Sequence, residues 1–209
     1  MTEVKARGPN FVYTKKFIIK EYGPQVWEKL LASLPADAAD IWLGPPLANM
    51  SYPFTAFKHM VNALSKEIGN VKETETARLY EFIADSSLSI LYTETARLYE
   101  FIADSSLSIL YKAFFHFSNP SFVIKNYPKL WVRFFEAGKV EVPVAEKGHA
   151  IVKFTLPEIF LDWISPACLG YSKKAVEMAG GKNLTMQQKS KSRLQENLWE
   201  ISYVLKWDE

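Results

Sequence analysis

Apolar positions recur every three or four residues through the first two thirds of the chain and every second residue beyond it, so the pattern predicts helices followed by strands. Asn10 to Tyr22 carries Phe11, Val12, Phe17, Ile18 and Ile19 and ends at Gly23. Pro24 opens a second helix with Val26, Trp27, Leu30 and Leu31. A turn over Leu43 to Pro53 holds Gly44, Pro45 and Pro46. Pro53 starts a helix in which Phe54, Phe57, Met60, Val61 and Leu64 form one buried face, closed by Gly69. Asn119 and Pro120 begin another helix. Pro128 punctuates the next, which holds Leu130, Trp131, Phe134 and Phe135 before Gly138.

The period then falls to two. Val140, Val142 and Val144 alternate with polar residues, a turn at Lys147 and Gly148 follows, and His149 to Leu156 alternates again, which predicts a hairpin. A helical stretch from Pro157 to Met178, interrupted at Ser165 and Pro166, stops at Gly180 and Gly181. Two strands close the chain. In the last, Trp199, Ile201, Tyr203, Leu205 and Trp207 share one face, with Glu200, Ser202 and Lys206 on the other. Helices segregated from a four-stranded antiparallel sheet, in the order strand, strand, helix, strand, strand, define an α+β fold. No linker separates independent domains, so the expectation is one domain over residues 1–209, mainly helical over 1–138 and sheet over 139–209.

One feature breaks the pattern. The sequence TETARLYEFIADSSLSILY stands at Thr74 to Tyr92 and again, unchanged, at Thr93 to Tyr111. Solenoid repeats diverge and come in three or more copies, so a perfect doubling is a different object: a recent duplication, an engineered insertion or an assembly error. Each copy is an amphipathic helix with Leu79, Ile83 and Ile90 on one side. An unbroken helix through both copies would span about 57 Å and turn the second apolar face by roughly a quarter turn, carrying Arg97 toward the direction of Leu79. The expectation is that one copy fills the helix slot of a parent fold lacking the other, the alternative being a longer helix whose extra turns overhang. Self-association through the extra copy is one function that follows.

Composition adds exclusions. With 48% hydrophobic and 14% aromatic residues the chain can build a core, and a net charge of +2 gives no strong electrostatic instruction. The single cysteine, Cys168, excludes an internal disulfide framework. The first residues lack the apolar core of a signal peptide, and no stretch approaches the length of a membrane helix. The expected location is therefore the cytoplasm, without membrane insertion. A basic run including Lys189, Lys191 and Arg193 reads as an edge strand guarded by cations; no stacking aromatics interleave with it, so no nucleic-acid partner is expected.

No catalytic signature emerges. His59, His116 and His149 lie far apart and lack the spacing of a zinc site, and Cys168 has no histidine close in sequence. Glu158 and Asp162 stand one helical turn apart, a pairing that suits a solvated face near a helix N-terminus better than acid–base work. The phosphate-binding glycine loops and the nucleophile elbow are absent. No metal or cofactor is expected from these residues. What stands out is aromatic: Phe114, Phe115, Phe117, Phe122, Tyr127, Trp131, Phe134, Phe135, Phe154, Phe160, Trp163 and Tyr171 crowd the transition from helices to sheet, and Phe115, Tyr127, Trp131, Phe135, Phe154, Phe160 and Trp163 are the pocket candidates among them. Such residues form core, and beneath a curved sheet they can also line an apolar pocket.

The segment DSSLSILYKAFFHFSNPSFVIKNYPKLWVRFFEAGKVEV and the closing ENLWEISYVLKW carry a resemblance. The Asn-Pro-Ser-Phe turn at Asn119 to Phe122, the Pro-Lys-Leu-Trp at Pro128 to Trp131, Gly138 before a valine strand and the Tyr203 to Trp207 strand resemble a paralogous family of chains of this size in myxobacteria and other delta-proteobacteria. More distantly they are similar to the heme-nitric-oxide-binding-like and 4-vinyl-reductase-like superfamily. The resemblance implies helices, then an antiparallel sheet, with an apolar cavity between. Heme-binding members carry a proximal histidine and a Tyr-x-Ser-x-Arg propionate clamp. Here the corresponding strand reads Val152, Lys153, Phe154, Thr155, Leu156, and His116 precedes the Asn-Pro-Ser-Phe turn. The functional expectation is a non-catalytic sensory or interaction module. Its expected partner is a small apolar ligand or a protein, and it can form a homodimer. A heme sensor or enzyme using His116 is the alternative.

Overall fold

The computed structural model describes residues 3–76 and 119–209. It is an α+β structure in which helices dominate the N-terminal part and a four-stranded antiparallel sheet the C-terminal part. The chain divides into two compact units, Met1–Leu98 and Tyr99–Glu209.

In the first unit β1 (Lys5–Arg7) leads directly into α1 (Gly8–Tyr22), followed by α2 (Pro24–Ser33), α3 (Ala36–Leu43), β2 (Ser51–Pro53) and α4 (Phe54–Thr76). Pro9 sits in the first turn of α1, where no intrahelical N–H is needed. Gly23 ends it with φ +88°, its N–H bonding the Ile19 carbonyl at 3.1 Å. Phe11, at the centre of the unit, meets Trp42 at 4.7 Å and Phe57 at 5.8 Å between ring centres. The buried indole of Trp42 donates to the Ala56 carbonyl at 3.0 Å.

Three details of this unit depart from the expectation. The pairing of β1 with β2 carries no sequence signal, because three-residue strands are too short to show alternation. The short α3 also lacks a legible one. Gly69 does not close α4, which runs on to Thr76; a glycine inside a helix costs only about 1 kcal/mol, which neighbouring turns absorb. Of the duplicated copies only Thr74 to Thr76, at the end of α4, fall within the described residues, so the expectations about the doubling, like those for Phe115 and His116, lie outside them.

In the second unit α5 (Pro120–Lys125) is capped by Asn119, whose side-chain oxygen accepts the Phe122 N–H at 2.9 Å. Then come α6 (Tyr127–Phe134), β3 (Lys139–Glu146), β4 (His149–Pro157), a single 3-10 turn (Glu158–Phe160), α7 (Ile164–Met178), β5 (Lys182–Gln195) and β6 (Leu198–Asp208). The sheet order is β3-β4-β6-β5, so the connection through α7 carries the chain across β6 and leaves β5 at an edge. The anticipated helix from Pro157 is in fact the 3-10 turn followed by α7. Pro166 lies in the first turn of α7, where proline is tolerated. Glu158 and Asp162 therefore share no α-helical face, and both are exposed.

Alternation sorts β4 and β6 as the pattern required, whereas in β3 a register shift between Glu141 and Val144 breaks the expected alternation and of Val140, Val142 and Val144 only Val140 is buried. Val152, Phe154 and Leu156 of β4 pair with Tyr203, Ile201 and Trp199 of β6, and except for the half-buried Trp199 all are buried. On the opposite face Lys153 lies between Glu141 of β3 and Glu200 of β6, at 3.5 and 3.3 Å. Lys191 and Arg193 of β5 pair with Ile201 and Trp199. A register shift between Gln188 and Ser190 takes Lys189 out of that ladder, so two of the three cations of the basic run stand in regular pairing on this edge strand.

Candidate functional site

Three elements of the second unit bring the aromatic residues together. Helix α6 presents Tyr127, Trp131 and Phe134 at positions i, i+4 and i+7, one face of a helix, and its buried face ends at Phe135. Strand β4 supplies Phe154 from its inward row. The 3-10 turn places Phe160 and Trp163 ahead of α7, from which Ile164, Ala167, Cys168 and Tyr171 follow with the same helical spacing.

Between them is an apolar pocket of about 60 Å³, lined by Tyr127, Leu130, Trp131, Phe134, Phe135, Val140, Phe154, Trp163, Ile164, Ala167, Cys168 and Tyr171. Of the candidates named from the sequence, Tyr127, Trp131, Phe135, Phe154 and Trp163 line it. Phe160 stands behind the wall, 5.9 Å from Trp131, 5.6 Å from Phe135 and 5.6 Å from Trp163 between ring centres. Phe134 and Tyr171, members of the same aromatic cluster in the sequence, line the pocket too, and the wall members that sequence reasoning missed are Leu130, Val140, Ile164, Ala167 and Cys168. Those on α7 could have been found from its i, i+3, i+4, i+7 spacing, starting at Ile164.

The rings support one another in tilted and edge-to-face contacts. Trp131 meets Phe135 at 4.4 Å and Phe154 at 5.6 Å, and Phe135 meets Trp163 at 5.1 Å. The Trp131 indole N–H donates to the Ala137 carbonyl at 3.0 Å, which fixes the ring's orientation. On the α7 side the Tyr127 hydroxyl and the fully buried Ser172 hydroxyl are 2.8 Å apart. The Cys168 sulfur lies 3.8 Å from the same Ser172 oxygen, one helical turn away.

Burial pushes the Cys168 thiol up to about 12, opposed in part by its contact with Ser172, and burial likewise holds the Tyr127 phenol well above its ordinary value. Both groups are protonated at neutral pH, so neither acts as a nucleophile or base there. Because their folded values are raised, the stability they contribute is complete below the unfolded values, 9.0 for the thiol, and is lost as pH climbs toward 12. At pH 8 ionisation alone is expected to slow alkylation of Cys168 by about 1000-fold relative to the unfolded chain. Timed labelling with iodoacetamide, with and without denaturant, checks this; equal rates would show an accessible thiol.

His59 is exposed on α4 of the first unit and His149 opens β4 at the hairpin turn, and neither is among the residues that line this pocket. Among the described residues no cluster of histidine, cysteine, aspartate or glutamate is arranged to hold a metal ion, and no helix is long and apolar enough to cross a membrane.

No family model and no curated protein matches this chain. Solved structures do. An H-NOX protein from S. oneidensis in its Fe(II)NO state superposes with a TM-score of 0.66 at 10% identity, over 97% of this chain and 99% of that one. A point mutant of the T. tengcongensis H-NOX gives 0.65 at 8% identity, over 97% and 96%. An oxygen-binding H-NOX domain related to soluble guanylate cyclases, in its oxygen complex, gives 0.63 at 8% identity, over 96% and 92%. At these identities the likeness is one of fold: the chain has the H-NOX architecture.

The named neighbours raise the question of heme, and the pocket answers it for its own space. A cavity that accepts benzene measures about 150 Å³, and a porphyrin is several times larger than benzene, whereas this pocket has about 60 Å³. The inward row of β4 is Val152, Phe154 and Leu156, which offers propionates no partner. The cation of that strand, Lys153, points to the other face and is engaged by Glu141 and Glu200. The residues of this pocket do not fit a porphyrin.

Proposed function

We propose that the protein is a non-catalytic sensory module built on the H-NOX fold, and that the aromatic pocket of its second unit is where a small apolar ligand is received. The observation that carries this reading is the pocket wall: rings and aliphatic groups, with its cysteine and Tyr127 held neutral and no carboxylate or imidazole among its members. Such a wall binds by exclusion of water and by dispersion and has nothing with which to move a proton at neutral pH.

The heme-based alternative has its own support, since the three superposed structures above are all H-NOX proteins or domains and the likeness runs over nearly the whole chain. In fold terms the comparisons favour it over the apolar-ligand reading. A heme bound by this chain would be held outside the pocket described above, with His116 as the candidate ligand. Protein docking and homodimer formation belong to the same proposal, as the ways in which a sensory module reports.

Native mass spectrometry and an absorption spectrum of the freshly purified full chain separate these readings. The expected result is a chain without porphyrin mass and without a Soret band, before or after hemin is added. A stoichiometric Soret band that disappears in His116→Ala would establish the heme alternative instead. The subunit number seen in the same spectra tests the homodimer.

A further inference from the structure

We propose that the outer edge of β5 is a docking edge for an acidic extended segment of a partner protein, taken up as a fifth strand, whatever the pocket holds. β5 ends the sheet order β3-β4-β6-β5, so its ladder to β6 uses one row of N–H and C=O groups, and the row facing outward meets no described strand. From Gln187 to Gln195 every residue is exposed. The strand therefore offers both faces and one edge to a partner. The opposite edge of the sheet is closed to such use: β3 contains Pro143, which lacks an N–H, its register shifts between Glu141 and Val144, and the carbonyl of its last residue, Glu146, accepts the Ser121 hydroxyl at 2.6 Å.

Charge identifies the occupant. β5 carries Lys182, Lys189, Lys191 and Arg193 and no acidic residue. Lys182 stands opposite Asp208, whereas among the described residues no ion pair engages Lys189, Lys191 or Arg193. Lys191 and Arg193 lie two residues apart, opposite Ile201 and Trp199, so both belong to the sheet face that is buried at β4 and open at β5. The Lys191 ammonium sits 5.3 Å from the centre of the Trp199 ring, which steadies it on that face. Ser190 and Ser192 share the other face, where the Ser190 hydroxyl is 2.6 Å from that of Ser202.

An incoming strand with acidic residues at alternate positions sets two carboxylates beside Lys191 and Arg193 and its small polar side chains beside the serines. The β5 of a second copy would set cation against cation, so this edge rejects its own kind. Guarding against aggregation needs only charge; the spacing of Lys191 and Arg193 by two within a regular stretch adds a matching ladder. Register limits its length. Shifts between Gln188 and Ser190 and between Arg193 and Gln195 bound Ser190–Arg193, which pairs with β6 without interruption, so the edge takes one short segment and does not template open-ended growth.

The test is titration of the full chain with a labelled Glu-Thr repeat peptide, read by fluorescence anisotropy and by amide exchange of β5. The expected result is saturable binding that slows exchange over Ser190–Arg193, is about 10-fold weaker in Lys191→Glu/Arg193→Glu, and is restored in that variant by a Lys-Thr repeat peptide. Both positions are exposed, so the charge reversal leaves the core intact. The Glu-Thr peptide with alternate backbone amides N-methylated keeps its charge and loses the hydrogen bonds of one edge; it is expected to bind about 10-fold more weakly. Equal binding of the methylated peptide, or no saturation with the unmodified one, would overturn the docking edge. Oligodeoxythymidine binding as tightly as the peptide would also overturn it and assign the cations to nucleic acid. None of these readouts depends on what fills the pocket, so failure here leaves the sensory reading standing.

Discussion

Replacing Trp131 with alanine is expected to destabilise the second unit by about 3–5 kcal/mol, the range for deleting a large buried aromatic side chain. The ring is 9% exposed and contacts Phe135, Phe154 and Phe160, and its loss also frees the Ala137 carbonyl from its indole donor. Urea unfolding followed by near-ultraviolet circular dichroism measures the cost. A loss below about 1 kcal/mol would mean that the ring network is not the core that the contacts describe. The same variant carries a functional prediction. With the ring gone the pocket approaches the size that receives benzene, so benzene is expected to restabilise Trp131→Ala and to leave the unaltered protein unchanged.

The second large effect is expected at Gly138, between α6 and β3. Its φ of +85° is left-handed, and a Cβ there would stand 2.5 Å from the Leu156 Cδ2, 3.2 Å from the Thr155 carbonyl oxygen and 3.4 Å from the Trp131 ring. Gly138→Ala combines a backbone cost of about 1–2 kcal/mol with an overpacking cost of about 1–3 kcal/mol. The clash falls on the Leu156 side chain, with the Thr155 carbonyl oxygen tight beside it and the Trp131 ring at ordinary contact distance. Shaving the leucine in Gly138→Ala/Leu156→Val is expected to recover the overpacking part and leave the backbone part. No recovery would show that the cost lies in φ alone.

The fold was legible where periodicity had room to act. The eleven residues of β6 and the apolar face at the start of α4 repeat long enough to declare themselves, and proline and asparagine mark the starts of α2, α5 and α6. Short elements were not legible: β1 and β2 have three residues each, and their pairing depends on Gly8, where a Cβ would stand 1.9 Å from the Leu47 carbonyl oxygen. That close approach is a tertiary fact without local signature. The site divides in the same way. Bulky rings at Tyr127, Trp131, Phe135, Phe154 and Trp163 announce a cluster, because rings of that size near a sheet must be buried somewhere. The void itself comes from Ala167 and Cys168, and a small side chain acquires meaning only when the opposing rings are known. Phe160 shows the converse, since the 3-10 turn directs it behind Trp131 and Phe135 and away from the void.

The most direct measurement is hydrogen exchange of the full chain with and without saturating xenon as an apolar probe. If a small apolar ligand occupies the pocket and the module responds to it, amide exchange slows across Tyr127–Phe134 and Ile164–Met178, the helices joined by Tyr127 and Ser172. Exchange in those two helices that is the same with and without xenon would contradict it.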